Sequence, residues 1–454
     1  MQNLAIPQGL SVVTPARWAS CYAVDHLANR SVAAVGDALA ELMVATALCS
    51  ERPQITVDQR LTALWFKYSF RPSGWEMPAL WDPLAGDYPT QDGWIRLHTN
   101  LPHHRDAALH ALGCEARPEA VRTAVAGWGS DALEQEVVKH GGVAAAMRSE
   151  AAWAAHPQGK AVAKEPLIAW QDPRHIALRP RPEATPARPL AGLRVLDLTR
   201  VLAGPVATRT LAGFGATVLR IDPPGWDEPG VLTDVALGKH MAALDLKSTD
   251  GEATLERLLS EADVLVHGYR PGALDALGFT TETLRQIAPH LIDVRLNAYG
   301  WTGPWAKRRG FDSLVQMSSG IADRGRYWAA GATAPPSDAR PNPLPVQALD
   351  HATGYLMAAA VLRALGSAAR GEKVADARLS LARTAQSLKD LSNGSDDATG
   401  AVLTGAEDRD YCEETELTSW GAGQRLRSPL TVGAASLLWD HPAKASGSAK
   451  ARWP

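Results

Sequence analysis

The sequence predicts an α/β protein: a parallel sheet flanked by helices over residues 190–400, preceded by a smaller α+β module over 85–178. Three observations predict it. Short apolar runs alternate with helical patterns after residue 190, a turn signal joins two strand-like runs near residue 92, and seven prolines punctuate the stretch from Pro157 to Pro189. Alternation of strand and helix favours parallel strands, because each crossover needs a helix to carry the chain back. Proline at that density favours extended, solvated backbone, so residues 179–189 read as a Pro-rich linker.

Residues 1–84 read as a helical N-terminal segment, with apolar spacings of three and four between residues 14 and 80. Its most apolar stretch, roughly Val32 to Cys49, carries Asp37 and Glu41 and is therefore expected as a core helix and not as a membrane span. The start MQNLAIPQGLSVVTP is broken by prolines and has no early Lys or Arg, so no export signal is expected. In the small module, YPTQDGWIRLHT reads as a hairpin turning at Asp92-Gly93. HHRDAALHALG, PEAVRTAVAGWG and SDALEQEVVKHGG then read as helices, the second opening on proline and all three closing on glycine.

Beyond the linker, LRVLDLT is a strand, VATRTLAGFG a helix and ATVLRID a second strand. The pattern recurs in DGEATLERLLSEA, DVLVHGY, TETLRQIAP and HLIDVRLNAYG. A dinucleotide site would place spaced glycines in the turn after the first strand, but that turn runs Thr199-Arg200-Val201-Leu202-Ala203-Gly204-Pro205. No NAD is expected, although Asp222 ends the second strand where a ribose-binding acid would sit.

The balance of 46 Lys+Arg against 49 Asp+Glu, a net charge of −3, gives no basic field, so neither nucleic acid nor a membrane is an expected partner. Cys21, Cys49, Cys114 and Cys412 show no CxxC spacing, which points to no metal, no disulfide framework and a cytoplasmic setting.

LAGLRVLDLTRVLAGPVATRTLAGFGATVLRID, HMAALDLKSTDGEATLERLLSEADVLVHGYRPGALDALGF and RRGFDSLVQMSSGIA together resemble the large domain of the family III CoA-transferases, the CaiB/BaiF family, over roughly residues 190–385. The resemblance implies a Rossmann-like domain that holds coenzyme A as an acyl-CoA substrate. It implies an aspartate nucleophile at the start of a long helix, and the matching run LPVQALDHATGYLMAAAVLRALG puts Asp350 there. The residues agree in kind: PVQAL is strand-like, HATGYLMAAAVLRAL is helix-like with Gly366 as a stop, and Asp350 falls at the expected N-cap, where the helix dipole favours a carboxylate. The plainer reading is that Asp350 only caps its helix.

By the same matching, Val201, Leu202 and Ala203 are expected to line the adenine and pantetheine path, with Leu244 and Lys247 nearby, Gly268 and Tyr269 beside the cofactor, and Arg309 facing the phosphates. Val201 and Leu244 read equally well as core, and Lys247 and Arg309 as solvated charges. Pro223-Pro224 stands where the family usually has a basic residue. Related racemases use a histidine in Gly-His-Asp as a second proton carrier, and this chain has Gly310-Phe311-Asp312, which disfavours that chemistry. His351, next to Asp350, is expected to point away from it.

The small module precedes the large domain, reversing the family's order, and residues 401–454 resemble a return segment, as in the latter part of one copy joined to the first part of another. A glycine-rich closing loop is not recognisable. The resemblance implies an acyl-CoA:carboxylate CoA-transferase that forms a covalent aspartyl intermediate in a homodimer. The alternatives are a silent CoA-binding protein and, less favoured, a racemase-like isomerase.

Overall fold

A computed structural model of the chain describes residues 4–331, 339–392 and 400–454. The polar, glycine-containing run SNGSDDATGAVLTGAED, which the sequence reads as a loop, falls partly outside them, over 393–399. The larger sheet has seven strands in the spatial order Lys239–Ala243, Thr217–Asp222, Arg194–Leu198, Val264–His267, Ile292–Asn297, Val374–Ser380 and Ala169–Arg174. The first six are parallel and the last is antiparallel. VLVH and most of RVLDL are buried, because helices cover both faces of a parallel sheet. The parallel part of the sheet starts at Arg194–Leu198, steps outward twice, and returns to the other side at Val264–His267. Strand order therefore reverses between Leu198 and His267, which opens a crevice at the carboxyl ends of these strands.

One buried ion pair pins the start of that crevice. Asp197, fully buried, receives the Lys239 ammonium at 3.0 Å, the Thr208 hydroxyl at 2.6 Å and the Thr199 hydroxyl at 2.5 Å. Burial alone would raise the Asp197 pKa, but Lys239 and Arg220 hold it below the usual carboxylate range. Burial pushes Lys239 down to about 8.

The helix Ala348–Ala369 is long and apolar enough to cross a bilayer, yet it is mostly buried, packed between helices Val24–Ala45 and Ala203–Gly213. Among the described residues no strand leads directly into it at 339–347, and it runs through Gly366, because a buried glycine does not by itself stop a helix.

The expected core helix extends over Val24–Ala45, but residues 1–84 also hold strands at Leu10–Val13, Ala16–Arg17, Ile55–Asp58 and Phe70–Pro72. Most of their partners are remote. Ile55–Asp58 pairs with Leu430–Val432, and Phe70–Pro72 with Ala422–Leu426. Arg60 holds Asp410 through two bonds of 2.9 and 2.8 Å. Local periodicity is blind to such pairing, so these short strands read as helix.

The small module contains the hairpin Gly86–Pro89 and Trp94–Leu97, a third strand Ala144–Ala146, and helices Pro102–Leu112, Pro118–Ala126 and Ser130–Lys139. Ala169–Arg174 leaves this module and forms the edge of the large sheet. Residues 175–189 hold no helix or strand and are pinned by Arg179 on Asp263 at 2.8 Å and Arg188 on the Gly213 carbonyl at 3.0 Å. The module docks through Trp94, Val143 and Ala145 against Leu314, Met317 and Ala322.

Candidate active site

Three elements converge on Asp350. The first is the turn after Leu198. Val201 sits at φ 62°, a left-handed conformation that a β-branched residue adopts only under strain. The surroundings enforce it, since the Val201 N–H donates to Glu228 at 2.9 Å and Glu228 receives Arg220 at 2.7 Å. The turn delivers the Ala203 N–H, at the free amino end of its helix, to the Asp350 carboxyl.

The second element is the long helix itself. Gln347 is its cap and Asp350 its third residue, so Asp350 does not occupy the expected N-cap position. Gly354, one turn further on, allows the close approach to helix Ala203–Gly213, because a Cβ there would stand 2.4 Å from the Ala203 carbonyl oxygen.

The third is helix Asp312–Ser318, whose first residue does the capping instead. The Asp312 Oδ2 accepts the N–H groups of Leu349 and Asp350, both at 2.9 Å, and its Oδ1 accepts the Gln316 amide at 2.5 Å. Burial pushes Asp312 up to about 6 against these bonds. Burial, and then the Asp312 charge, hold Asp350 well above the usual range, with the Ala203 N–H opposing. The expectation of a dipole-stabilised carboxylate is thus reversed, because burial, with a like charge added to it, outweighs the helix end. Two carboxyls in one dry site favour retaining a proton between them.

A cleft of about 360 Å³ lies at the strand-order reversal, and Val201, Leu202, Ala203, Gly268, Tyr269, Arg309 and Asp350 all line it. Leu244 and Lys247 lie away from it. Leu244 packs on the apolar cluster across the sheet, and Lys247 is exposed. Asp222 is buried against Arg220 and receives Arg200 at 3.1 Å, and Arg200 also donates to the Tyr269 hydroxyl at 3.1 Å. At the mouth, burial and then the Arg270 charge depress Arg309, which donates to the Gly141 carbonyl at 3.1 Å, so two like charges line one space that anionic groups would neutralise. Sequence reasoning missed Arg270, which directly follows Gly268-Tyr269, and Asp312, which directly follows Phe311. Their positions beside named residues were the available signal.

His351 points to the opposite side and stacks on Phe66 at 5.1 Å, and burial then Arg209 hold it neutral, at a pKa of about 3.

Residues 190–415 match the family model described as CoA-transferase family III. This stretch belongs to that family. The chain is 34% identical over 198 residues to the probable fatty acyl-CoA transferase Rv3272 of Mycobacterium tuberculosis, covering 40% of this chain and 48% of that one. It is 37% identical over 156 residues to the human succinyl-CoA:glutarate CoA-transferase, covering 32% and 36%. Among solved structures, orthorhombic Rv3272 is similar at 32% identity, with a TM-score of 0.41 over 45% of this chain and 57% of that one. A CAIB/BAIF family protein from Brucella suis is similar at 26% identity, with a TM-score of 0.36 over 52% and 65%. The chain spans about half or less of the length of these curated relatives.

The family III stretch supplies the turn, both carboxyls and the mouth cations of the cleft. Leu101, His103 and His104 reach the cleft from the small module, outside that stretch. Nothing in their local spacing marks them.

Proposed function

We propose that this protein is an acyl-CoA:carboxylate CoA-transferase in which Asp350 carries the acyl group and then CoA as a covalent aspartyl intermediate. One observation carries the reading: Asp350 lines both the cleft at the strand reversal and a second cavity of about 240 Å³ beneath the small module. A thioester extended along the cleft and a carboxylate in the second cavity can therefore reach one side chain.

The CoA nucleotide occupies the mouth, its phosphates against Arg270 and Arg309, and the pantetheine runs past Val201 and Gly268. Leu244 and Lys247, which lie away from the cleft, are given no contact with the nucleotide. The Asp350 carboxylate adds to the acyl carbon and expels CoA thiolate, giving a mixed anhydride. The thiolate then attacks the aspartyl carbonyl and releases the first carboxylate, leaving an aspartyl thioester. The acceptor reverses these steps in its own turn. The low exposure of Asp350, 6%, limits water access to the anhydride. The same reading includes a cytoplasmic homodimer, and mass photometry reads the dimer.

Incubation with acetyl-, succinyl- and hexanoyl-CoA, followed by hydroxylamine trapping and mass spectrometry, tests the nucleophile. A hydroxamate on the Asp350 peptide, absent in Asp350→Asn, is expected. No adduct and no exchange with any thioester would leave a CoA-binding protein without transferase chemistry.

A further inference from the structure

The cavity beneath the small module contains a polar group that the transfer chemistry leaves unused. His98 is 5% exposed and lies face to face on Phe311, with ring centroids 3.9 Å apart and planes 8° apart. Trp81 meets the same ring edge-on at 5.6 Å and 84°. Phe311 directly precedes Asp312, the residue that holds the start of the Asp350 helix, so the imidazole is fixed relative to Asp350. His98 and Asp350 line the same cavity.

The two ring nitrogens differ. Nδ1 is enclosed and has no hydrogen-bond partner among the described residues, whereas Nε2 is not enclosed in this way and the ring borders the cavity. A buried N–H without an acceptor is rarer in proteins than a buried acceptor without a donor, so the proton is assigned to Nε2. Burial, then Arg96 and His104, hold the ring neutral, at a pKa of about 3. His98 is therefore a fixed neutral donor on the wall of the cavity that Asp350 also lines. His104 differs in kind: both its nitrogens are enclosed without partners, so it offers a ligand only its ring surface.

We propose that His98 donates an Nε2–H hydrogen bond to the acyl carbonyl oxygen as Asp350 adds to it, a role that rests on the transferase reading above. In that step a C–O bond forms from Asp350 to the acyl carbon, and the carbonyl π pair moves to oxygen, where the imidazole N–H meets it. The pair then returns, the C–S bond breaks, and its electrons leave on the CoA sulfur. No proton is transferred, and the imidazole ends as it began. A donor held by ring stacking needs no reorganisation as charge develops, which is where such bonds contribute most. A depressed pKa makes the same ring a poor base for removing an α-proton.

The test compares His98→Gln and His98→Phe with the full wild-type chain, using a thioester and carboxylate pair that wild type turns over. Phenylalanine is expected to lower kcat by about 10²–10³-fold with little change in KM, and glutamine, which can donate, to recover much of that loss. The shape of the pH profile is expected to be unchanged, because Asp350 and Asp312 titrate in the site and His98 does not. Spectra of ¹⁵N-histidine-labelled protein are expected to show the Nε2–H form from pH 5 to 8. Wild-type kcat in His98→Phe, a loss confined to KM, an imidazolium above pH 5, or solvent deuterium at the α-carbon that depends on His98 would each overturn the proposal. If wild type forms no Asp350 adduct, the transferase reading itself fails.

Discussion

Asp312 both secures and opposes Asp350: its carboxylate accepts the Asp350 backbone N–H at 2.9 Å, while its charge raises the pKa of the Asp350 side chain. The bond fixes where the nucleophile points. The repulsion adds to the effect of burial in raising the pH at which it is ionised, and both the bond and the repulsion come from one buried group.

Asp312→Asn separates the two. The amide oxygen can still accept one N–H, but the like charge is gone, so the acid limb of the exchange rate is expected to move to lower pH. Stability carries a sign of its own. Asp312 titrates near 6 in the folded chain against an ordinary 3.8, so the folded state binds more protons across that window. Its contribution is full below about pH 4 and declines as pH rises through about 6. Urea midpoints at pH 4, 5 and 7 are expected to show that decline in wild type and a shallower one in the variant.

Gly354→Ala sets propensity against packing. In an exposed helix the change stabilises by up to about 1 kcal/mol. Here the new Cβ would meet the Ala203 carbonyl oxygen at 2.4 Å and the Val206 Cβ at 2.8 Å, and overpacking of this kind costs about 1–3 kcal/mol. Net destabilisation is expected, with slower exchange as the Ala203 N–H draws away from Asp350. A raised denaturation midpoint would contradict the close-packing account.

Arg270→Ala and Arg309→Ala are each expected to weaken CoA binding by about 1–3 kcal/mol in calorimetric titration, and less at high salt. Lys247→Ala is expected to change it by less than about 0.5 kcal/mol, because an exposed ammonium is solvated with or without ligand. Equal losses at Lys247 and Arg309 would move the phosphates away from the cleft mouth.

Glu134 joins the small module to the large domain, receiving Arg148 at 2.7 Å and Arg308 at 3.1 Å while itself buried. Glu134→Ala removes the buried carboxylate that the two guanidiniums share, leaving Arg148 only Asp131 as a carboxylate partner and Arg308 the Ala144 carbonyl, a change costing up to roughly 3–5 kcal/mol. Hydrogen exchange is expected to rise across 94–104 and 305–312, and turnover to fall as the module loosens.

Four strands of the sheet were legible, Arg194–Leu198, Thr217–Asp222, Val264–His267 and Ile292–Asn297, because each is a locally apolar run that a parallel sheet buries. Lys239–Ala243 and Val374–Ser380 carry charges among few apolar residues and were not read as strands. Ala144–Ala146 and Ile55–Asp58 were not either, since three alanines carry no strand signal and Ile55–Asp58 is closed on one side by Leu430–Val432. In the site, Asp350 and the Val201 turn were named from motifs within one continuous region. His98 reached the same cavity only through docking of a separate module, a relationship that no spacing encodes.

The pairing of Arg60 with Asp410 across 350 positions sets an order of events during synthesis. At roughly 5–20 residues per second, the strand Ile55–Asp58 waits roughly 20–75 s after its own synthesis before Leu430–Val432 exists to pair with it, and the apolar helix Val24–Ala45 waits roughly 15–60 s for Ala348–Ala369 to cover it. During that interval the early segment presents apolar surface and an unfinished sheet edge. The nascent chain is therefore expected to need chaperone cover over that interval, and the early segment to finish folding only once its distant partners have been made.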